Sequence, residues 1–345
     1  METGNKKKVE VVQLESPLPT KESIETDRRL KELNALRVDT KTVLPEVRAC
    51  LSIEGIPVFE MSDINALKAK QKNGKTSALK VMAAAWLKGE MYGLRSELAE
   101  AKLLWIDTEQ KLADAKRILD DIQQMTALDS RHIDNHLKLY SFRKLSYKSM
   151  EEDLLRLVKA YRPNVVIIDN LVDLVESFND EVQSHNLVNS LVQMSEVYQC
   201  CIIAVLHENK RADDTLMRGH LGTLLSQKAG TVLQCKKDKK GNIVVSCSDS
   251  RHQEIPEWRI RYDEQGHIVS ADAPTPSLAD QRRQTILDVI QEAGGSIARK
   301  DLNEKLEAKL NLARTTVANM ITQELKNGTI MDILGMIQNN PEIPW

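Results

Sequence analysis

Aromatic side chains are scarce in this chain of 345 residues, at 4%, which argues against a fold that grips single strands mainly by stacking their bases. The five cysteines form no C-x-x-C pair. Cys200 and Cys201 sit side by side in an apolar run, so the set reads as reduced core thiols rather than a disulfide framework. No apolar run approaches the ~18 residues that would cross a bilayer, and the opening METGNKKKVE lacks the apolar core of a secretion signal. The formal charge of −2 supplies no global pull toward nucleic acid or membrane, so any such contact has to come from a local basic surface. Internal repeats and low-complexity tracts are missing too. These absences set the expectation of a soluble, cytoplasmic protein with no membrane partner.

What is present is an ordinary globular composition, 41% hydrophobic and 28% charged, over a length that outgrows one core of ~150 residues and implies two domains. Residues 1–45 are polar and charged. A helix over Glu22 to Leu36 would align Leu30, Leu33 and Leu36, but the composition favours a partly disordered segment. Beyond it, short apolar runs alternate with helical patterns. Leu103–Ile106, Val165–Ile168 and Ile202–Leu206 read as buried strands, with helices such as Lys148–Tyr161 and Gln183–Tyr198 between them. That alternation predicts an α/β domain over 46–271, with a mainly parallel sheet covered on both faces. Within it, Thr231–Cys235, Asn242–Ser248 and Trp258–Tyr262 alternate around turns such as Lys239-Lys240-Gly241 and Glu264-Gln265-Gly266, an antiparallel extension of that sheet. Residues 272–277 are a linker by composition, and 278–345 form a second compact domain.

The stretch LKAKQKNGKTSALKVMAAAW, Leu67 to Trp86, carries the first chemical signal. Ala69 to Thr76 has the spacing of a phosphate-binding loop with alanine in place of its first glycine. Such a loop needs a strand running in and a helix running out. Asp63–Leu67 offers a short, half-polar strand, and Ala78, Leu79, Met82, Ala83 and Trp86 recur at helical spacing. Gly74 stands where backbone has to approach phosphate closely. Taken alone, the loop is equally well explained as a lysine-rich turn before a helix. Three further strand ends decide the matter. Leu104-Trp105-Ile106 runs into Asp107-Thr108-Glu109-Gln110, Val165–Ile168 into Asp169-Asn170, and Ile203–Leu206 into His207-Glu208-Asn209-Lys210. An acidic strand end is as often a helix cap, and a lone histidine is more often structural. Ligands of parallel sheets, however, bind at the carboxyl ends of the strands. Four such ends in this chain order favour a nucleotide site.

With those residues in place, the segment from about Leu67 to Val269 resembles the RecA-like ATPases, and within them the hexameric helicase ATPases of the RepA/DnaB type carried by plasmids and mobile elements. The resemblance rests on Lys70-Gln71-Lys72-Asn73-Gly74-Lys75-Thr76, Ile106-Asp107-Thr108-Glu109-Gln110, Val166-Ile167-Ile168-Asp169 and Leu206-His207-Glu208-Asn209-Lys210. Arg218-Gly219-His220-Leu221-Gly222 and Ser250-Arg251-His252 are also similar. Ala69, where that family usually has glycine, departs from the pattern and bears on affinity and turnover. The resemblance implies ATP and Mg²⁺ as cofactors. Backbone N–H groups from Lys70 through Gln71, Lys72, Asn73 and Gly74 to Thr76 would cradle the phosphates, with Ser77 beside them. Lys75, exposed in an empty loop, would neutralise β- and γ-phosphate charge. Thr76 would give its hydroxyl to Mg²⁺, and Asp169 would hold that ion directly or through water. Because Asn170 follows Asp169, Glu109 takes the part of the carboxylate that orients or deprotonates the attacking water. His207 or Asn209 would touch the γ-phosphate. Arg251 would be an arginine finger reaching a neighbouring subunit's ATP; otherwise it is a solvated hairpin arginine. A homo-oligomer follows from the same resemblance, a hexameric ring with single-stranded DNA in its pore.

Two loops could face such a pore. Glu176–Glu181 is acidic. Lys210–His220 is mixed, with Lys210, Arg211, Arg218 and His220 at its ends, and is the better DNA candidate. The module 278–345 reads as a winged helix. Leu278–Ala293 is amphipathic through Ile286, Val289 and Ile290 and is ended by Gly294-Gly295. Ser296-Ile297 gives a strand, Arg299–Leu310 a second helix, Asn311 the cap of a third from Leu312 to Lys326, and Asn327-Gly328-Thr329-Ile330 the turn into a hairpin. Arg314, Thr315, Thr316 and Asn319 stand where a recognition helix meets the major groove, while the acids Asp301, Glu304, Glu307 and Glu324 weigh toward a protein contact. The expected function is an ATP-dependent, DNA-associated motor, a replicative or mobilisation helicase or remodeller. The alternative is a regulatory nucleotide-binding adaptor with slow hydrolysis, assembling on DNA or on a replication partner. A small-molecule kinase lacks an acceptor-pocket signal.

Overall fold

The structure is a computed structural model that describes residues 21–43, 48–209, 215–251, 254–271, 278–310 and 312–340. Lys210, Arg211, His252, Asn311 and the linker 272–277 lie outside the described residues. The chain divides into two units, Met1–Val47 and Arg48–Trp345. In the first, where composition favoured a partly disordered segment, Lys21–Ala35 is helix α1. Arg28 and Arg29 pair with Glu32 one turn along, and Leu30, Leu33 and Leu36 are exposed.

The second unit begins with the hairpin β1 (Ala49–Ile53) and β2 (Ile56–Glu60), then β3 (Ile64–Ala69), α2 (Lys75–Lys88), β4 (Glu90–Met91) and β5 (Leu94–Ser96). Next come β6 (Leu103–Asp107), α3 (Leu112–Thr126), α4 (Ser130–His136), β7 (Leu137–Ser141), α5 (Tyr147–Tyr161), β8 (Val165–Asp169), α6 (Glu181–Tyr198) and β9 (Cys201–His207). Helix α7 (Gly219–Lys228), β10 (Thr231–Lys237), β11 (Ile243–Ser250), β12 (Trp258–Tyr262) and β13 (Ile268–Ser270) close this part. Among the described residues the main sheet has the order β13-β12-β11-β10-β3-β9-β8-β6-β7. From β10 to β7 all pairings are parallel, so Thr231–Cys235, expected in the antiparallel extension, is instead a parallel strand beside β3, and only β11, β12 and β13 add to β10 antiparallel. The parallel strands are buried on both faces. Leu103 and Trp105 of β6 join one apolar cluster with α2 and α3, whereas Leu104 and Ile106 join the other with α5 and α6. This is the RecA-like α/β fold.

Helical spacing gave α2 one apolar face, yet it is buried nearly all round, from Lys75 to Leu87 with Thr76 alone left out. A second, antiparallel sheet of order β2-β1-β5-β4 packs against it, with β4 and β5 beside the helix and the Trp86 indole donating to the Cys50 carbonyl at 2.8 Å. The strand into the loop also runs further than Asp63–Leu67: it ends at Ala69.

The C-terminal part comprises α8 (Leu278–Glu292), β14 (Ser296–Ala298), α9 (Arg299–Leu310), α10 (Arg314–Lys326), β15 (Ile330–Ile333) and β16 (Met336–Asn339). Its three strands order as β14-β16-β15 around an apolar cluster drawn from Ile286 to Ile337.

Candidate functional site

Parallel pairing brings the carboxyl ends of β3, β6, β8 and β9 to one edge. Ala69 is level with His207, and Asp107 with Asp169. Helix α2 starts at the same edge. Between them lies a cavity of about 520 Å³ walled by Gln71, Lys72, Gly74, Lys75, Thr76, Ser77, Glu109, Asp169 and His207. Lys237, Ile243 and Tyr262 complete the wall. Lys237 ends β10 and the other two come from the antiparallel extension, and nothing in their spacing marked them. The Tyr262 hydroxyl lies 2.6 Å from that of Ser77.

The loop is tighter than its sequence spacing. Ala69 is 0% exposed and is laddered on one side to His207 and on the other to Cys235, so it belongs to the strand and the turn starts at Lys70. Asn73 N–H donates to the Lys70 carbonyl at 3.3 Å. Positive φ falls at Lys72 and at Gly74, where it is +89°. A Cβ on Gly74 would stand 2.5 Å from the Ile243 side chain. Glycine is therefore required there by both backbone and neighbour, and the alanine at 69 is outside the bend.

Lys75 is not exposed in the empty loop, as the sequence suggested. It is 8% exposed, its ammonium donates to His207 Nδ1 at 2.9 Å, and burial lowers its pKa. The other face of the ring, Nε2, stands 3.5 Å from Glu109 Oε1, which also accepts from Asn170 Nδ2 at 3.1 Å. The bond from His207, then that from Asn170 and the His207 and Lys75 charges, hold the Glu109 carboxyl down at about 2. The turn carrying Glu109 is fixed by Asp107, whose Oδ1 accepts from the N–H of Glu109 at 3.0 Å and of Gln110 at 2.8 Å. Thr76 Oγ1 donates to Asp169 Oδ2 at 3.4 Å. Burial pushes Asp169 up to about 7 even though Lys75 pulls the other way. Asp107 Oδ2 is buried with no hydrogen-bond partner among the described residues.

These oxygens fit a hard divalent cation. A hydroxyl, a buried carboxylate penalised for its charge and an idle carboxylate oxygen all gain from positive charge. Among the described residues no group of three or more His, Cys, Asp or Glu could hold a metal by itself. That suits Mg²⁺, which keeps its waters and takes phosphate oxygens in place of a protein cage.

The remaining sequence candidates fall elsewhere. Lys70 and Asn209 line an adjoining cavity of about 280 Å³ that shares Gln71 and His207 with the first. Arg218 caps α7, its guanidinium 4.4 Å from the centre of the Phe178 ring, and Leu221 N–H donates to the Phe178 carbonyl at 3.1 Å. The two loops offered as pore candidates thus meet each other. His220 is exposed on α7, while Lys210 and Arg211 lie outside the described residues. Arg251 is not part of the cavity wall. Ser250 pairs with Thr231, the first residue of β10, so Arg251 sits at the amino-terminal edge of the parallel strands, where its guanidinium donates to the Lys228 carbonyl at 2.7 Å. On α10, Arg314, Thr315 and Asn319 are exposed and Thr316 partly so; Arg314 leans toward Glu307 at 3.9 Å.

A glycine turn between a buried strand and a helix, with carboxylates on two neighbouring strand ends, defines the chain as a RecA-like P-loop ATPase. It belongs to the AAA domain family, AAA_25, which matches residues 26–213. Among solved structures it is similar to the crystal structure of the RadB recombinase, with a TM-score of 0.47 and 15% identity over 62% of this chain and 93% of that one. No curated protein matches it. Among the described residues no helix is long and apolar enough to cross a membrane.

Proposed function

We propose that this ATPase hydrolyses ATP with Mg²⁺ and works as an oligomeric, DNA-associated motor of the RepA/DnaB helicase type, serving replication or mobilisation of a plasmid or mobile element. The observation that carries the reading is the meeting of Lys75, Thr76, Glu109, Asp169 and His207 around one cavity at the strand ends. The N–H groups of the Lys70–Thr76 turn cradle the phosphates, with Ser77 next to them. Thr76 and Asp169 would hold Mg²⁺, whose charge offsets that of the β- and γ-phosphate oxygens. Glu109, ionised throughout the physiological range, orients the attacking water; a carboxylate held so low is a weak base, and phosphoryl transfer through a loose transition state asks little of one.

A γ-phosphate meeting Lys75 would compete with His207 for its ammonium. His207 is continuous with the next loop, because its carbonyl accepts from Arg218 N–H at 3.0 Å and Glu208 bridges Met217. Phosphate gain and loss are thereby felt at the base of the segment carrying Lys210, Arg211, Arg218 and His220, the DNA candidates. The order helix, strand, helix, helix and hairpin in 278–340 is that of a winged helix, which would present Arg314, Thr315, Thr316 and Asn319 to DNA. A hexameric ring in which Arg251 serves a neighbour completes the reading.

The tie of Lys75 to His207 favours a second reading, a regulatory nucleotide-binding adaptor with slow turnover. Measuring ATPase rate with and without single-stranded DNA, beside particle size with and without ATP and Mg²⁺, separates the two. The motor requires DNA stimulation and an ATP-dependent assembly. Slow, DNA-insensitive turnover by a monomer leaves the adaptor.

A further inference from the structure

The turn that Asp107 builds does not need an aspartate. The residue ends β6 at 0% exposure. Its Oδ1 takes both backbone N–H groups of the Glu109 turn, work that an asparagine oxygen does equally well. Its Oδ2 is buried and unpartnered among the described residues. Burying a carboxylate with an idle oxygen is costly unless a positive or hydrogen-donating group meets it. Arg143 attracts Asp107 electrostatically but forms no ion pair with it among the described residues.

The direction in which Asp107 projects says what would meet it. Asp107 is level with Asp169 on adjacent parallel strands, and level residues project from the same face of the sheet. Two residues back, Trp105 and Ile167 both join the apolar cluster that contains α2. Asp107 therefore shares with Asp169 the face beneath the start of α2, where Thr76 bonds Asp169.

We propose that Asp107 is the second carboxylate of the divalent-cation site. Its free Oδ2 accepts a hydrogen bond from water on the ion that Thr76 and Asp169 would hold, while its Oδ1 fixes the turn of Glu109. One side chain thus sets the cation and the water-orienting carboxylate in a common frame. The proposal rests on the nucleotide-site reading above and adds to it a positioning residue that acts through water and backbone.

The test is Mn²⁺ binding to the full chain with ADP, read by electron paramagnetic resonance and so independent of turnover. The wild type should show a nucleotide-dependent Mn²⁺ site that Asp169→Asn removes. Asp107→Asn keeps the turn and should weaken Mn²⁺ by about 10–100-fold, the usual effect of losing a group that holds a ligand in place, while ADP affinity in chelator stays unchanged. Wild-type Mn²⁺ affinity in Asp107→Asn, with the site lost in Asp169→Asn, would overturn the proposal and leave the nucleotide site standing. No nucleotide-dependent Mn²⁺ in the wild type would overturn both. If Asp107→Asn does not fold, Fe²⁺ with ascorbate and ADP can cut the wild-type backbone near the bound ion. Cuts at 106–107 beside those at 75–76 and 169–170 support Asp107, and cuts at the latter two, with or without cuts at 109–110, but none at 106–107, refute it.

Discussion

At the scale of single residues, the site is a set of charges held in check. Lys75, His207, Glu109 and Asn170 form one chain of contacts, and Asp169 lies buried beside it. Glu109→Gln should still bind ATP and Mg²⁺ but hydrolyse roughly 10²–10⁴-fold more slowly; near-normal turnover in that variant, alongside an inactive Asn170 variant, would move the water-orienting role to Asn170. Asp169 allows a prediction on pH. Its carboxyl is raised from an ordinary 3.8 to about 7, so the folded protein disfavours the charged form. The stability it contributes is complete below about pH 4 and is lost as pH rises through about 7. Asp169→Asn removes the charge. Without ligand, this variant should melt at or above the wild type at pH 8 and show no advantage near pH 4, and Mg²⁺ should add nothing to its stabilisation by ADP. Thermal melts across that range check both halves.

At the scale of elements, the loop is defined by what flanks it. Because Ala69 is the last ladder residue of β3, Ala69→Gly should not improve nucleotide binding. Glycine within a strand costs about 0.5–1 kcal/mol relative to alanine, so denaturant unfolding should show a loss of at least that size while ADP affinity stays flat. A gain in affinity would put the start of the bend back at 69. Gly74 behaves in the opposite way. With φ +89° and Ile243 at 2.5 Å from a would-be Cβ, Gly74→Ala should abolish nucleotide binding. Adding Ile243→Ala relieves only the contact, so binding measured by ADP titration should return in part at most. Full recovery would show that the backbone angle is unimportant.

At the scale of the molecule, Arg251 tests assembly. It lies at the opposite end of β11 from the cavity wall formed by Ile243, and eight residues of strand span about 25 Å. If it completes a neighbour's site, Arg251→Ala should bind ATP and hydrolyse poorly, and mixing it with Lys75→Ala should restore activity. Mixed assemblies contain interfaces where an intact loop meets an intact arginine, within the ~10³–10⁵-fold range such arginines supply. Without rescue on mixing, and with a monomer in ATP and Mg²⁺, the ring falls and the adaptor reading takes its place.

The parallel sheet and the residues at its carboxyl edge were legible from the chain alone, because both are local. A run such as Val165–Ile168 is buried on two faces whatever surrounds it, and the polar residue ending it has to lie at the edge. Strands β11 and β12 of the antiparallel extension and the order of elements in 278–340 were legible through alternation and turn residues, whereas Thr231–Cys235, expected in that extension, lies parallel beside β3, a direction its own alternation does not encode. The small sheet over α2 was not: β4 and β5 have two and three residues, too short for any periodicity. Nor was the reach of β3 to Ala69, since only pairing with β9 and β10 extends a strand whose own residues are half polar. The burial of Lys75 against His207, the wall made by Ile243 and Tyr262, and the idle oxygen of Asp107 were decided by tertiary structure. Each depends on which strand ends become neighbours across the sheet, and that is a property of strand order that no window of sequence contains.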